Sequence, residues 1–397
     1  MNNAIEKILP FLLILFLVPC CIEIDISVPS FPEMVRYFGT TEAVIQLTVA
    51  YNFLGFFIAA FFYGPLSDSY GRRKVMIIGN TLLTLGAMGC VYAPSIPFLL
   101  VSRFIQGLGA ATPAVLVSAM VADIYQGQKA TKFIGLMNAI LTTLMAIAPV
   151  IGSFITKAVG WRGNYAIVAF ICLISWVMSL ISLPETKKEF DVFDTRKMTR
   201  DYKKLFRSPL FLSASFVPSA MYGAYLAFIA CAPFLYMETF GMSITEYALH
   251  QAVIVGTFSV VSFFVNRLSQ LFGNKPCVIY SSIFYVLSMA GLALVGFFIP
   301  RSPYWITLLV TIGGVAEAIY YPIIFGPSLE IFPEIKGTAS SVIMSMRALI
   351  IAITVAIAGY LYDGEVFTLA LVMLTITTIC LGLTLYFLRA GLLKKPV

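Results

Sequence analysis

Twelve apolar stretches alternate with short polar breaks along this chain, near 8–28, 43–63, 75–93, 96–120, 132–156, 164–183, 209–236, 246–268, 276–299, 303–327, 338–361 and 365–388. Each approaches or exceeds the roughly 20 apolar residues that a helix needs to cross a bilayer. The pattern predicts an all-α membrane protein with twelve transmembrane helices. The longest polar stretch, Pro184–Ser208, divides the spans six and six. The expected organisation is therefore a six-helix bundle over 1–183, a cytoplasmic linker over 184–208 and a second six-helix bundle over 209–397. Mixed charge with Phe and Leu at helical spacing makes the linker either a partly amphipathic segment along the membrane face or a solvated tether. Pro29–Glu42, between the first two spans, carries prolines that favour an extended, ordered turn.

Composition agrees with this pattern, with 60% hydrophobic and 11% charged residues, against about 25% charged in an ordinary soluble domain. The 26 Lys and Arg against 19 Asp and Glu reflect topology rather than nucleic-acid binding. Arg72, Arg73, Lys74, Lys129, Lys132, the basic residues of the linker, Arg267, Lys275, Lys336, Arg389, Lys394, Lys395 and Lys7 fall on one side. Arg36, Lys157, Arg162 and Arg301 fall on the other. That asymmetry puts both termini in the cytoplasm. The first apolar run carries Pro19, Glu23 and Asp25 and no small-x-small cleavage site, so it is expected to stay as a helix. Seven scattered cysteines without CxxC spacing and a single histidine, His250, give no basis for a disulfide framework or a metal site. No Walker A sequence or nucleophile–base constellation stands out, so neither an enzyme nor an ATP-driven pump is expected.

Against this hydrocarbon background the buried charges are few. A charge at the centre of a membrane helix costs about 2.5–3.5 kcal/mol on insertion scales and is seldom kept without a use. Asp25 and Glu23 lie near the outer end of the first span, and Arg103 lies about two turns from the outer end of the fourth at 1.5 Å per residue. Matched depth predicts an Asp25–Arg103 pair, either coupled to proton movement or static. Glu23 precedes Asp25 by two positions, about 200° round a helix, and is the second candidate. Glu317 and Arg347 both lie about 10 residues, or near 15 Å, from the cytoplasmic ends of their spans. A buried ion pair is expected there, either bracing the second bundle or contributing to substrate binding.

"GPLSDSYGRRKV" (Gly64–Val75) closely resembles the loop between helices two and three of the major facilitator superfamily. In it Gly64 and Gly71 allow the tight turn, Arg72 and Arg73 supply positive charge, and Asp68 is an acceptor for a helix N-terminus near Gly337–Ala339 or for an arginine. "RFIQGLGAA" (Arg103–Ala111) is similar to the family motif of helix four. "APVIGS", with Ala148, Pro149 and Gly152, resembles the antiporter motif of helix five, although Ala148 and Ser153 replace two glycines. "IDISVPSFP" (Ile24–Pro32) and "LPET" (Leu183–Thr186) narrow the resemblance to the Bcr/CflA group of drug–proton antiporters, where Asp25 falls on an acidic position. In the second half the resemblance is mainly topological.

The resemblance implies a monomeric secondary transporter of the bacterial inner membrane, exporting small amphipathic compounds by alternating access and drawing on the proton gradient with no cofactor. Asp25, Glu23 and Arg103 would serve proton coupling. Helices one, four, seven and ten would line the substrate cavity, and Tyr51, Asn52, Asn138, Tyr222, Tyr225, Tyr320 and Tyr321 are the lining candidates, aromatic rings suiting a tolerant pocket. Import or export of one specific metabolite, a nutrient or a siderophore, is the alternative on the same fold. A transport-dead sensor is a third.

Overall fold

A computed structural model describes residues 3–125, 128–187, 189–190, 192 and 194–393. In chain order the helices are α1 (Asn3–Ile22), α2 (Phe31–Phe38), α3 (Glu42–Tyr70), α4 (Arg72–Val91), α5 (Ile96–Ile124), α6 (Gln128–Val159), α7 (Trp161–Ser182), α8 (Thr195–Phe206), α9 (Pro209–Pro233), α10 (Ile244–Phe272), α11 (Asn274–Phe298), α12 (Pro303–Glu330), α13 (Lys336–Leu361) and α14 (Val366–Arg389). Eleven of these elements, some with a flanking turn, are long and apolar enough to cross a membrane, and Ile8–Ile22 of α1 adds a shorter apolar stretch. The all-α, twelve-span expectation therefore holds. The terminal residues 1–2 and 394–397, and Lys188 in the linker, lie outside the described residues.

α1 stops six residues before the end of the span predicted from hydropathy. Glu23–Ser27 form successive turns, with the amides of Ile26 and Val28 donating to the carbonyls of Ile22 and Ile24. Ser27 and Ser30 hydroxyls donate to the Ile24 and Ser27 carbonyls, at 2.9 and 2.6 Å. Side chains that bond their own backbone compete with helix continuation. A 3-10 turn, Val28–Ser30, then leads into α2. The segment after the first span is thus ordered, as expected, but helical rather than extended. Pro29 and Pro32 sit in first turns, where a missing N–H is no loss, and Gly39 ends α2 at φ +58°.

The linker contains a helix. Asp194 caps α8 by accepting from the amides of Arg196 and Lys197, at 2.8 and 3.0 Å. Its inner face buries Asp201 and Leu205, and Leu205 joins Phe211, Ala339, Val342 and Ile343 in a small core. The Tyr202 hydroxyl donates to the Phe61 carbonyl of α3 at 2.5 Å, and Lys204 pairs with Glu334. One end of the molecule is therefore marked by α8 and the other by α2.

α1 and α3–α7 pack on one another, as do α9–α14, and two long seams join the sets: α3 along α13, and α6 along α10. At the α2 end of the first seam, Gly359 lies against Gln46; at the α8 end, Gly64 lies against Ser341. Ser259 of α10 donates to the Thr142 carbonyl of α6 at 2.9 Å across the second. α9 is the most enclosed span.

Candidate functional site

The turns after α1 hold two acids deep in the protein, Glu23 at 2% and Asp25 at 6% exposure. Arg103 of α5 is fully buried. Its guanidinium donates to Gln106 Oε1 at 3.1 Å and to Ser27 Oγ at 3.0 Å, and its Cζ sits 4.8 Å from the Tyr165 ring centroid. Glu23 lies beside Asn52 and within electrostatic reach of Arg103. Asp25 instead lies within electrostatic reach of Tyr222 and Tyr225 of α9 and Tyr247 of α10. The depth argument matched Arg103 with Asp25; the structure instead brings Glu23 within its electrostatic reach, with no ion pair formed between them among the described residues. The two acids diverge, as positions two apart are expected to, but equal depth could not say which of them lies near the guanidinium.

Close backbone approach builds this region. A Cβ on Gly107 would overlap the Asn52 carbonyl, and one on Gly152 would overlap the carbonyl of Ile26. Gly152, in the antiporter-like segment of α6, thus abuts the turn that carries Asp25. Beside it Ala148 is buried and Pro149 lies within α6. Such small-residue contacts let membrane helices approach without a bulky interface. Among the described residues, several buried polar atoms here lack a hydrogen-bond partner, including Glu23 Oε2, Gln46 Nε2, Tyr225 OH, Tyr247 OH and both side-chain polar atoms of Gln251. Buried polar groups are normally satisfied; these atoms are part of a set of unpartnered polar groups spread through both helix sets.

At the α8 end, Gly71 adopts φ +98° between α3 and α4. Asp68 pairs with Arg72 Nη2 at 2.8 Å and with Lys187 Nζ at 3.0 Å. Arg72 also meets Asp123 at 3.2 Å and Ser67 Oγ at 2.5 Å, and Arg73 donates to the Leu180 carbonyl at 2.9 Å. Of the two partners expected for Asp68, the arginine is the one found, while the N-terminus of α13 is not bound by it. At this end it is the N-terminus of α4 that receives a carboxylate: Glu185 accepts from the amides of Arg72 and Arg73, at 2.9 and 3.1 Å. Glu185 and Asp123 were missed as site residues. "LPET" was legible as a motif, but its target, 112 residues earlier, has no local signature.

In the second set, Arg347 of α13 lies between the rings of Tyr222 and Tyr321, 4.1 and 4.2 Å from their centroids. Glu317 of α12 is within its electrostatic reach, but no ion pair forms between them among the described residues. The expected pair is a neighbouring arrangement, because the two tyrosines hold the guanidinium. Tyr225 stacks on Phe258 at 5.6 Å. Tyr320 is fully buried and shares a hydrogen bond with Thr384 of α14 at 2.7 Å, so it packs inside the helix set rather than lining the seam. Tyr51 and Asn138 are exposed on helix faces. A separate cleft of about 470 Å³ lies between α10 and α12, lined by His250, Tyr304 and Thr307 among others; His250 Nδ1 bonds Thr307 Oγ1 at 2.7 Å.

Fold and site together describe a polytopic helical membrane protein with charged groups buried at the meeting of two helix sets. The profile of the Major Facilitator Superfamily matches residues 12–297 and 219–396, and the chain belongs to that family. It is similar to the multidrug resistance protein MdtM of Salmonella typhimurium, at 26% identity over 91% of this chain and 88% of the relative. MdtM of Escherichia coli K12 is 26% identical over 99% and 95% of the two chains. A bicyclomycin resistance protein homolog of Haemophilus influenzae is 23% identical over 82% of each. Among solved structures, the partially occluded inward-open xylose transporter XylE of E. coli matches with TM-score 0.75 and 15% identity over 99% of each chain. The human organic anion transporter MFSD10 matches with TM-score 0.71 and 16% identity over 96% of this chain and 99% of that one. These likenesses give the fold alone.

Proposed function

We infer that the protein is a proton-coupled exporter of small amphipathic compounds, working by alternating access in a bacterial inner membrane with the α8 end in the cytoplasm. The observation that carries this reading is the divided pair of acids after α1. Glu23 lies within electrostatic reach of Arg103, while Asp25 lies within reach of tyrosines of the opposite helix set. In this reading 1–183 and 209–397 rock about the seam between them, joined by the linker 184–208. Rocking changes the distance between Asp25 and α9, and so the stability of its charge. Protonation from outside would favour the inward-facing form, where substrate competes for the same seam. One charge crossing 100 mV supplies about 2.3 kcal/mol. Names such as MdtM and bicyclomycin resistance protein, carried by relatives, support drug export as the task. The antiporter-like segment, with Ala148 and Ser153 in place of glycines, keeps import or export of one specific metabolite as a second reading.

Susceptibility of a pump-deficient strain, with and without expression, tests the first reading. Expression should raise resistance to at least one amphipathic toxic compound, and Asp25→Asn should abolish the gain. No change across a broad compound panel refutes export of drugs.

A further inference from the structure

Glu317 is the buried acid within the spanning helices that the coupling scheme above does not use. It is fully buried, and neither carboxylate oxygen has a hydrogen-bond partner. Acids are almost never fully buried unless paired, and at membrane depth an unpaired one is a functional site by default. The groups that face it are defined on each side. Arg347 of α13 is the charged group acting on it. Tyr222 of α9, Tyr285 of α11, Tyr320 of its own helix and Cys380 of α14 complete the set within its reach. The neutral groups are engaged elsewhere: Tyr285 donates to the Met221 carbonyl at 3.0 Å, Tyr320 shares its hydrogen bond with Thr384, and Cys380 points its thiol at the Val217 carbonyl at 3.7 Å. From α10, His250 is committed to Thr307.

Among the described residues only Arg347 acts on Glu317 with opposite charge, and the tyrosine clamp holds it out of contact. We propose that Glu317 is a second proton carrier, whose charge state is set by whether Arg347 lies between Tyr222 and Tyr321 or moves onto the carboxylate. With Arg347 clamped, Glu317 holds its proton. When Arg347 leaves the clamp, the proton passes from the carboxyl group to water, and the carboxylate left behind pairs with the guanidinium, which stays protonated throughout. Tyr222 is also within reach of Asp25, so the clamp is a shared neighbour of two acids on opposite sides of the seam. The proposal rests on proton coupling only for its physiological use; the titration itself needs no substrate.

Infrared difference spectroscopy of the purified full-length protein, stepped in pH without substrate, provides the test. Glu317→Gln should remove one protonated-carboxyl band in addition to any band removed by Glu23→Gln or Asp25→Asn. Arg347→Gln should keep the Glu317 band protonated to a pH at least tenfold lower in proton concentration than in the unmodified protein. An unchanged set of carboxyl bands in Glu317→Gln overturns the proposal, and so does an unshifted midpoint in Arg347→Gln. If Glu317→Gln does not fold, the Arg347→Gln midpoint decides alone. Failure here leaves drug resistance conferred by expression untouched, whereas failure of the export reading leaves these bands in place.

Discussion

Replacing Arg103 by Gln tests the coupling between Arg103 and the acids after α1. The change removes the donors to Gln106 and Ser27, at 3.1 and 3.0 Å, and the contact with the Tyr165 ring. It also strands Glu23, whose positive neighbour is Arg103. Leaving a buried polar group without its compensating neighbour costs about 1–3 kcal/mol. A second change, Glu23→Gln, removes that stranded charge. The double variant should therefore be more stable than Arg103→Gln alone, with a coupling of about 1–3 kcal/mol, the range for residues in one network. The parallel cycle with Asp25→Asn should show a clearly smaller coupling. Unfolding of the purified protein in mixed micelles of increasing SDS content measures both cycles. A larger coupling for Asp25 than for Glu23 would refute this reading and restore the depth argument.

Other expectations follow from single contacts. Gly152→Val drives its side chain into the Ile26 backbone and should cost about 1–3 kcal/mol as overpacking; transport should fall more than in Gly152→Ala, with elution on size exclusion unchanged for both. Glu185→Gln weakens the carboxylate cap on α4 by about 0.3–1 kcal/mol and should speed tryptic cleavage at Lys187. Burial raises the Tyr202 phenol from its ordinary 10.0 to about 12. The folded state then keeps a proton that the unfolded state gives up, so this contribution is complete below pH 10 and is lost as pH rises towards 12. Tyr202→Phe should flatten that alkaline loss and cost about 1 kcal/mol at neutral pH for the hydrogen bond to Phe61, both read from unfolding profiles against pH.

Hydropathy made the spans legible because burial in lipid demands long apolar runs, and the glycine-rich motifs marked where helices come close. What hydropathy could not carry was the local competition at Ile22. Beyond Ile22 the chain turns, with Ser27 and Ser30 bonded to nearby carbonyls, and Arg103 acts on Glu23. In the second set, depth correctly brought Glu317 near Arg347, but depth says nothing of ring planes, and Tyr222 and Tyr321 capture the guanidinium. Tyr320 carries the same warning: being adjacent to Tyr321, it points about 100° away round the helix, into packing against α14. The α4 cap by Glu185 depends on a contact between distant segments and had no sequence period to announce it.

The helix α8 grips both sides of one seam, holding α3 through Tyr202 and packing on α13 through Leu205. Parting α3 from α13 at that end means releasing at least one grip. The linker is therefore a ballast on the conformational equilibrium as well as a tether. Every 1.4 kcal/mol or so lost from its docking would multiply the population open at that end about tenfold, without touching Glu23, Asp25 or Arg103. Drift in the linker sequence could thus retune how long the transporter rests in each state while leaving what it recognises unaltered.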